Sequence, residues 1–405
     1  MDAPAVGAVR RLLEPARIGG FRWLWLALAL SVGGDFFSYI AISWLTLQLS
    51  GSALILGTVL MAQGIPRATL LLVGGALTDR FSARRLMSLS ALSRTALMAA
   101  IAADVAAGHV QLWHLYIYSV LFGTLGAFFI PGQGTLLPRL VPGELLESGN
   151  AVLNMGVQAA RVIGPAAAGL VVARFGPAPS FAIDGACFFL CAVAVLQLPI
   201  PRSVSVETQD LLGSIKAGLS YAWADRALLG VLAIVIVLNF ALTGPFQVGL
   251  VLIARERLGG AGALGIVLAA GAVGSLLGTV AGGTLRPRRL GLVFIFVPFY
   301  VGVVSVIFAF TSALVLAMAF FFVIGTGMGL INVITPSWLQ RRTDPGMLGR
   351  VMALVNVGAF GAAPLSLAVA GAIAQVSVTL TLVLSGVLQI ATAGAAASSR
   401  SFRKI

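Results

Sequence analysis

Charge is scarce in this sequence: Asp, Glu, Lys and Arg make up 10% of its 405 residues, and the mean hydropathy is +1.03. A soluble domain carries about 25% charged residues, so the chain lacks the charge to cover a water-facing surface and reads as an integral membrane protein. Lysine occurs only as Lys216 and Lys404, which follow Ile215 and Arg403. With no glycine before either, a G-x-x-x-x-G-K-[ST] cradle for nucleotide phosphates is excluded. No serine sits in a G-x-S-x-G elbow. Cys187 and Cys191 lie one helical turn apart in an apolar run, and His109 and His114 fall on different helix faces, so no metal-ligand cluster forms. Both cysteines read as small buried hydrophobes. Neither a catalytic constellation nor a cofactor site is expected.

Apolar residues make up 59% of the chain, with 48 Gly and 17 Pro set inside apolar segments, where transmembrane helices tolerate them. Counting runs able to cross about 30 Å of hydrocarbon at 1.5 Å per residue predicts twelve helices. They fall near 23–47, 53–77, 86–107, 113–135, 151–173, 179–200, 227–251, 263–285, 290–311, 314–336, 350–374 and 378–398. The net charge of +13 is one-sided: of 26 basic residues, 20 fall in the leading segment, the trailing segment and alternate gaps between runs. Only Arg174, Arg255 and Arg257 lie in the other gaps, and Arg67, Arg94 and Arg161 fall inside runs. This is the positive-inside pattern, which places both termini in the cytoplasm and leaves no need for nucleic acid as a partner.

Residues 201–226 are the longest polar stretch, with Leu211, Leu212, Ile215, Leu219 and Trp223 at helical spacing. They read as an amphipathic linker between a six-helix bundle over 1–200 and another over 227–405. Sliding the chain by 208 residues aligns Leu56, Gly57, Val59 and Leu60 with Leu264, Gly265, Val267 and Leu268. The same offset aligns Gly74, Gly75, Leu77 and Arg80 with Gly282, Gly283, Leu285 and Arg288. The expected fold is therefore all-α, with two parallel six-helix repeats and a substrate site near mid-membrane.

A charge at membrane depth costs at least about 2.5 kcal/mol and faces a cavity or a partner. Asp35 lies near the centre of the first run, Arg161 near the centre of the fifth and Arg67 just past the centre of the second. Asp35 is expected to carry the coupling proton, beside Arg67 or Arg161, with Asp184 in the sixth run undecided. Arg94 is expected to snorkel to the cytoplasmic face and Asp104 to sit at the opposite mouth. Runs seven to twelve hold no acid at depth. Phe36, Phe37, Asn154, Gln158, Asn239, Phe240, Phe246, Gln247 and Asn332 are candidate cavity liners.

The stretch GGALTDRFSARRL (Gly74 to Leu86) resembles the loop signature between helices 2 and 3 of the major facilitator superfamily. Its form there, with Phe21–Ala53, Phe128–Asn154 and LQRRTDPGMLGRV (Leu339–Val351), is similar to the enterobactin-exporter and macrolide-efflux branch. The resemblance implies a gating loop of Gly75, Asp79, Arg80, Arg84 and Arg85. Asp79 would then cap a helix 11 that starts near Arg350. The second-half copy has Pro287 where Asp79 stands in the first. Arg161, Gly164, Pro165 and Gly169 resemble the glycine-proline motif of the superfamily's antiporters, which favours export. The expected protein is a monomeric, proton-driven exporter of drug-like, macrolide-like or siderophore-like small molecules in a bacterial cytoplasmic membrane, with protons and lipids as its other partners. The alternatives are a lysolipid or metabolite transporter on the same fold and a non-transporting membrane sensor.

Overall fold

The computed structural model describes residues 14–80, 82–199, 219–284 and 290–399, with the side chains of 71–80, 130, 131, 133–135, 345, 359 and 360 outside that description. Twelve helices among the described residues are long and apolar enough to span a membrane. They are α1 (Gly19–Ser50), α2 (Ala53–Arg80), α3 (Ala83–Ala106), α4 (Leu112–Leu140), α5 (Leu146–Phe175) and α6 (Pro177–Leu196). The second set is α7 (Arg226–Ile253), α8 (Ala261–Thr284), α9 (Leu290–Phe308), α10 (Leu314–Arg342), α11 (Pro345–Val376) and α12 (Val378–Ser398). In hydrocarbon a segment must satisfy its backbone within itself, and helices do so. Several outrun the apolar windows that reveal them: α5 begins at Leu146 rather than 151, and α11 at Pro345 rather than 350. Hydropathy marks the hydrocarbon slab, whereas the helices continue through polar turns on either side. Between α1 and α2, Gly51 takes a φ of 63°, a left-handed value that a side chain would oppose.

The chain divides into two compact units, residues 1–45 with 66–208, and residues 46–65 with 209–405. In the first, α3 packs on α6 and α4, and α5 lies along α1. That last seam is made by glycines seven and eight residues apart. A side chain at Gly149 would meet Phe21, one at Gly156 would meet Trp25, and one at Gly164 would meet Phe36 and the Gly33 backbone. Trp25 adds a hydrogen bond from its indole to the Val152 carbonyl at 3.1 Å. In the second unit α9 packs on α12 and α10, and α7 on α11, so helices six apart in sequence form equivalent pairs. There α8 and α10 approach backbone to backbone through Gly274, Gly278, Gly325 and Gly329, the close packing that small residues permit in lipid.

Large apolar side chains such as Leu89, Ile163, Phe175, Phe296 and Leu316 are exposed on the helices, as a lipid-facing surface requires. Most of the expected linker, with Arg202, Glu207, Asp210, Leu211, Leu212, Ile215 and Lys216, lies outside the described residues. Residues 219–224 are helical, with Trp223 exposed.

Candidate functional site: a charged cluster in the first unit

Asp35 stands at the middle of α1, about sixteen residues or 24 Å along the axis from either end. Its Oδ1 faces Nη1 of Arg94 at 3.5 Å, the acid 36% exposed and the guanidinium 4%. Arg94 is not a snorkelling surface arginine. It lies eleven residues into α3, about 16 Å along the axis from Ala83, and is buried. Neighbouring helices complete its enclosure. Phe122 of α4 and Phe188 of α6 present ring faces 4.3 Å and 4.8 Å from its guanidinium carbon, a cation–π arrangement worth more when desolvated. Nη2 also donates to the Phe122 carbonyl at 3.4 Å. One turn further along α4, Gly126 leaves open the space that Nη2 fills. Phe122 and Gly126 share a helix face four residues apart, which was the sequence signal for this nest.

Asp184 lies on α6, fully buried, with its Oδ1 against the bare Cα of Gly34, the residue before Asp35. Among the described residues neither of its oxygens has a hydrogen-bond partner. The Ser38 hydroxyl, within its electrostatic reach, donates instead to the Asp35 carbonyl at 3.2 Å. Arg94 feels Asp35, Asp184 and Arg67, while Arg161 feels Asp35 and Arg67. Arg67 is half-buried with Nε unpartnered among the described residues, and Arg161 is exposed. Three cations and two carboxyls thus share one region of the first unit. The pairing differs from the sequence expectation: the ion-pair partner of Asp35 is Arg94 rather than Arg67 or Arg161.

Gly164 and Pro165 are buried on α5 beside α1, and Gly169 is buried a turn further on. Of the gating loop, the side chains of Gly75, Asp79 and Arg80 lie outside the described residues. Arg84 donates to the Leu196 carbonyl and so caps the C-terminus of α6, and Arg85 is exposed. The expectation that helix 11 starts near Arg350 is corrected: α11 starts at Pro345, and the N-cap position is occupied by Asp344.

The candidate liners separate. Asn239 and Asn332 line one pocket of the second unit. Phe240 borders a much narrower one of 70 Å³, and its carbonyl accepts from Ser366. Phe246 packs against Phe308 and Phe321 with ring centroids 6.0 and 5.4 Å away. Phe36 packs on Gly164, and the Phe37 carbonyl accepts from Ser180 at 3.0 Å. Asn154 is exposed, and Gln158 and Gln247 are half-buried. Asp104 meets His114 at 2.8 Å where α3 ends and α4 begins.

A lipid-exposed set of twelve helices in two internally equivalent halves, with ionisable groups gathered at depth in one of them, is the build of a multi-pass membrane transporter rather than an enzyme. The chain belongs to the Major Facilitator Superfamily, whose family model matches residues 24–367. It is 28% identical over 387 residues to the multidrug efflux pump Tap of Mycolicibacterium fortuitum, covering 90% of this chain and 94% of that one. It is 26% identical to the uncharacterised MFS-type transporter YfiS of Bacillus subtilis, over 92% and 91% of the two chains. Among solved structures, the nucleoside transporter NupG superposes with a TM-score of 0.75 at 13% identity, over 94% of this chain and 98% of that one. A bacterial homologue of the human lysosomal transporter Spinster gives 0.72 at 12%, over 92% and 94%. At these identities the two structures establish the shared fold alone.

Proposed function

We propose that the chain exports small amphiphilic molecules from the bacterial cytoplasm by proton antiport, with both termini on the cytoplasmic side. The observation that carries this reading is the Asp35–Arg94 pair, an acid with partial access to water held beside a cation with almost none. A coupling carboxylate has to gain and lose a proton, and the change in its charge has to bias a movable element. Ionised Asp35 holds Arg94 toward α1. Protonated Asp35 releases it, with Asp184 the second acid in its surroundings. Export rather than uptake is supported by the names of relatives such as Tap and by the glycine-proline pattern of α5. The orientation is supported by the one-sided distribution of basic residues.

The test is uptake of a drug panel into everted membrane vesicles under an imposed proton gradient. Asp35→Asn keeps size and hydrogen bonding but removes the titration. It is expected to abolish gradient-driven uptake while retaining downhill counterflow. Uphill transport at the wild-type rate in Asp35→Asn would remove Asp35 from the coupling and make Asp184 the next residue to test.

A further inference from the structure

The second unit contains a pocket of about 230 Å³ whose polar groups are all uncharged. Asn239 comes from α7, Asn332 and Thr335 from α10, and Asn356 from α11, and among the described residues that line the pocket there is no acid or base. Met328 and Ile331 supply apolar wall on the α10 face that carries Asn332 and Thr335, at spacings of three and four residues.

Thr335 is the informative member. Hydroxyl side chains in transmembrane helices usually bond to a carbonyl one turn back, and on this same helix Thr326 and Ser337 do so at 2.7 and 2.8 Å. Thr335 is 5% exposed, yet its Oγ1 has no partner among the described residues. A buried hydroxyl left unsatisfied costs roughly 1–3 kcal/mol, so a group that pairs with it on binding recovers that cost. Asn239 has committed its Nδ2 to the Val235 carbonyl at 2.9 Å and offers its oxygen. Asn332 and Asn356 are exposed to the pocket's solvent with both amide functions uncommitted among the described residues.

The geometry points to a substrate subsite in which three carboxamides and the Thr335 hydroxyl recognise an uncharged group bearing hydroxyl, carbonyl or amide functions. Donors and acceptors are both present, which suits a moiety that itself does both, and an ion would find no countercharge there. Size narrows the class further. Pockets that enclose a whole drug-sized ligand run from about 300 to 1,000 Å³. At ~30 Å³ per water this one has room for about seven or eight, enough for a single ring or short polar chain. The subsite therefore takes the neutral polar head of an amphiphile. It rests on the transporter reading above and names the substrate class: neutral, hydroxyl- or amide-bearing amphiphiles in preference to permanent cations.

Equilibrium binding to the purified full-length protein in nanodiscs, with no gradient, tests it with two probes. Chloramphenicol is neutral and bears two hydroxyls and an amide, and tetraphenylphosphonium is a cation with no hydrogen-bonding group. The wild type is expected to bind chloramphenicol more tightly. Thr335→Val and Asn332→Leu, each nearly isosteric, should lower the ratio of chloramphenicol to tetraphenylphosphonium affinity about tenfold, the size of one lost hydrogen bond. Asn332→Asp places a charge in the pocket and should shift that ratio toward the cation. Wild-type preference for the cation, or a ratio within about twofold of wild type in both isosteric variants and in Asn332→Asp, would overturn the subsite. Failure of the export reading shows differently, as absent gradient-driven uptake in vesicles with the binding preferences intact.

Discussion

Arg342, the last residue of α10, grips Asp225 with two hydrogen bonds, Nε to Oδ2 at 2.6 Å and Nη2 to Oδ1 at 3.2 Å. Asp225 is at the same time the N-cap of α7, its Oδ1 accepting from the backbone N–H groups of Ala227 and Leu228 at 2.9 and 3.3 Å. One carboxylate thus closes the start of one helix and ties it to the end of another within the second unit. The guanidinium also leans over Trp338, 5.7 Å from the ring centre.

This pair predicts an acid-sensitive increment of stability. The Arg342 guanidinium, and after it the Ala227 and Leu228 N–H groups, hold the Asp225 carboxyl below the usual carboxylate range. A group with a lowered folded value stabilises fully above its unfolded value, about pH 4, and loses that contribution as pH falls through the folded value. Because both partners are partly exposed, the increment is under about 1 kcal/mol. In detergent, thermal unfolding of the wild type should converge on that of Asp225→Asn between about pH 4 and 2 while exceeding it at about pH 7. Parallel curves at every pH would exclude the pair from stability. Asp225→Ala, which also loses the cap, should cost about 1 kcal/mol more.

Arg94 is expected to be the least replaceable residue of the charged cluster. Truncating it to Met takes the cation from Asp35 and Asp184 and should destabilise by less than the cost of about 3–5 kcal/mol for a fully buried pair, because Asp35 is partly open to water. Asp35→Asn combined with Arg94→Gln removes both charges and should recover part of that loss in a thermal-shift assay. It should not recover gradient-driven transport. Additive losses in the double variant would mean that the two side chains are energetically independent.

Glycine at the α8–α10 contact predicts a purely structural effect. A methyl group at Gly278 would overlap the Thr326 carbonyl oxygen, which is backbone and has little room to yield. Gly278→Ala should cost about 1–3 kcal/mol and lower the yield of folded protein. Gly283, on the same helix with open space around its Cα, should accept Ala unchanged. Equal melting temperatures for the two variants would contradict the packing described.

Arg255 and Arg257 are exceptions to the one-sided charge distribution, and the structure gives their reason. Both lie on a single π-turn, Ala254–Leu258, after α7. Arg255 donates to the Leu47 carbonyl at 2.8 Å, and Arg257 to the Ala309 carbonyl and the Thr379 hydroxyl, each at 2.8 Å. Arg255 adds a second donor to a carbonyl that already accepts from the Gly51 N–H at 3.0 Å, and Arg257 caps the carbonyl just past the end of α9. Arg257→Gln should therefore lower stability by about 1.5–3 kcal/mol, the range for a hydrogen bond to a charged group. Reporter fusions after α7 should show an unchanged topology. A flipped topology with unchanged stability would make these arginines orientation signals instead.

Much of this molecule is legible in one dimension. Spanning segments announce themselves through local composition, because lipid has no tolerance for an unsatisfied backbone or a run of charges. Counting residues along those segments also gives the depth of Asp35. The same counting misjudges Arg94, because depth along one helix does not reveal that rings on two neighbouring helices enclose the side chain. Nor does it give the ring neighbours of Phe246, since an aromatic residue near mid-helix can face a cavity or a neighbouring ring and the one-dimensional pattern is the same.

The sequence by itself determined the membrane spans, the internal repeat and the presence of charges at depth, all of which follow from chemistry that is local along the chain. Only the tertiary structure decided that Arg94 belongs to Asp35, that Asp184 rests against Gly34, and that the buried Thr335 hydroxyl has no partner among the described residues. Each of those depends on how neighbouring helices are rotated and on the space that a glycine leaves for a side chain far away in sequence. In a low-dielectric interior that space selects the partner, because a guanidinium or carboxyl group can be buried only where another helix has made room for it and offers something to meet its charge.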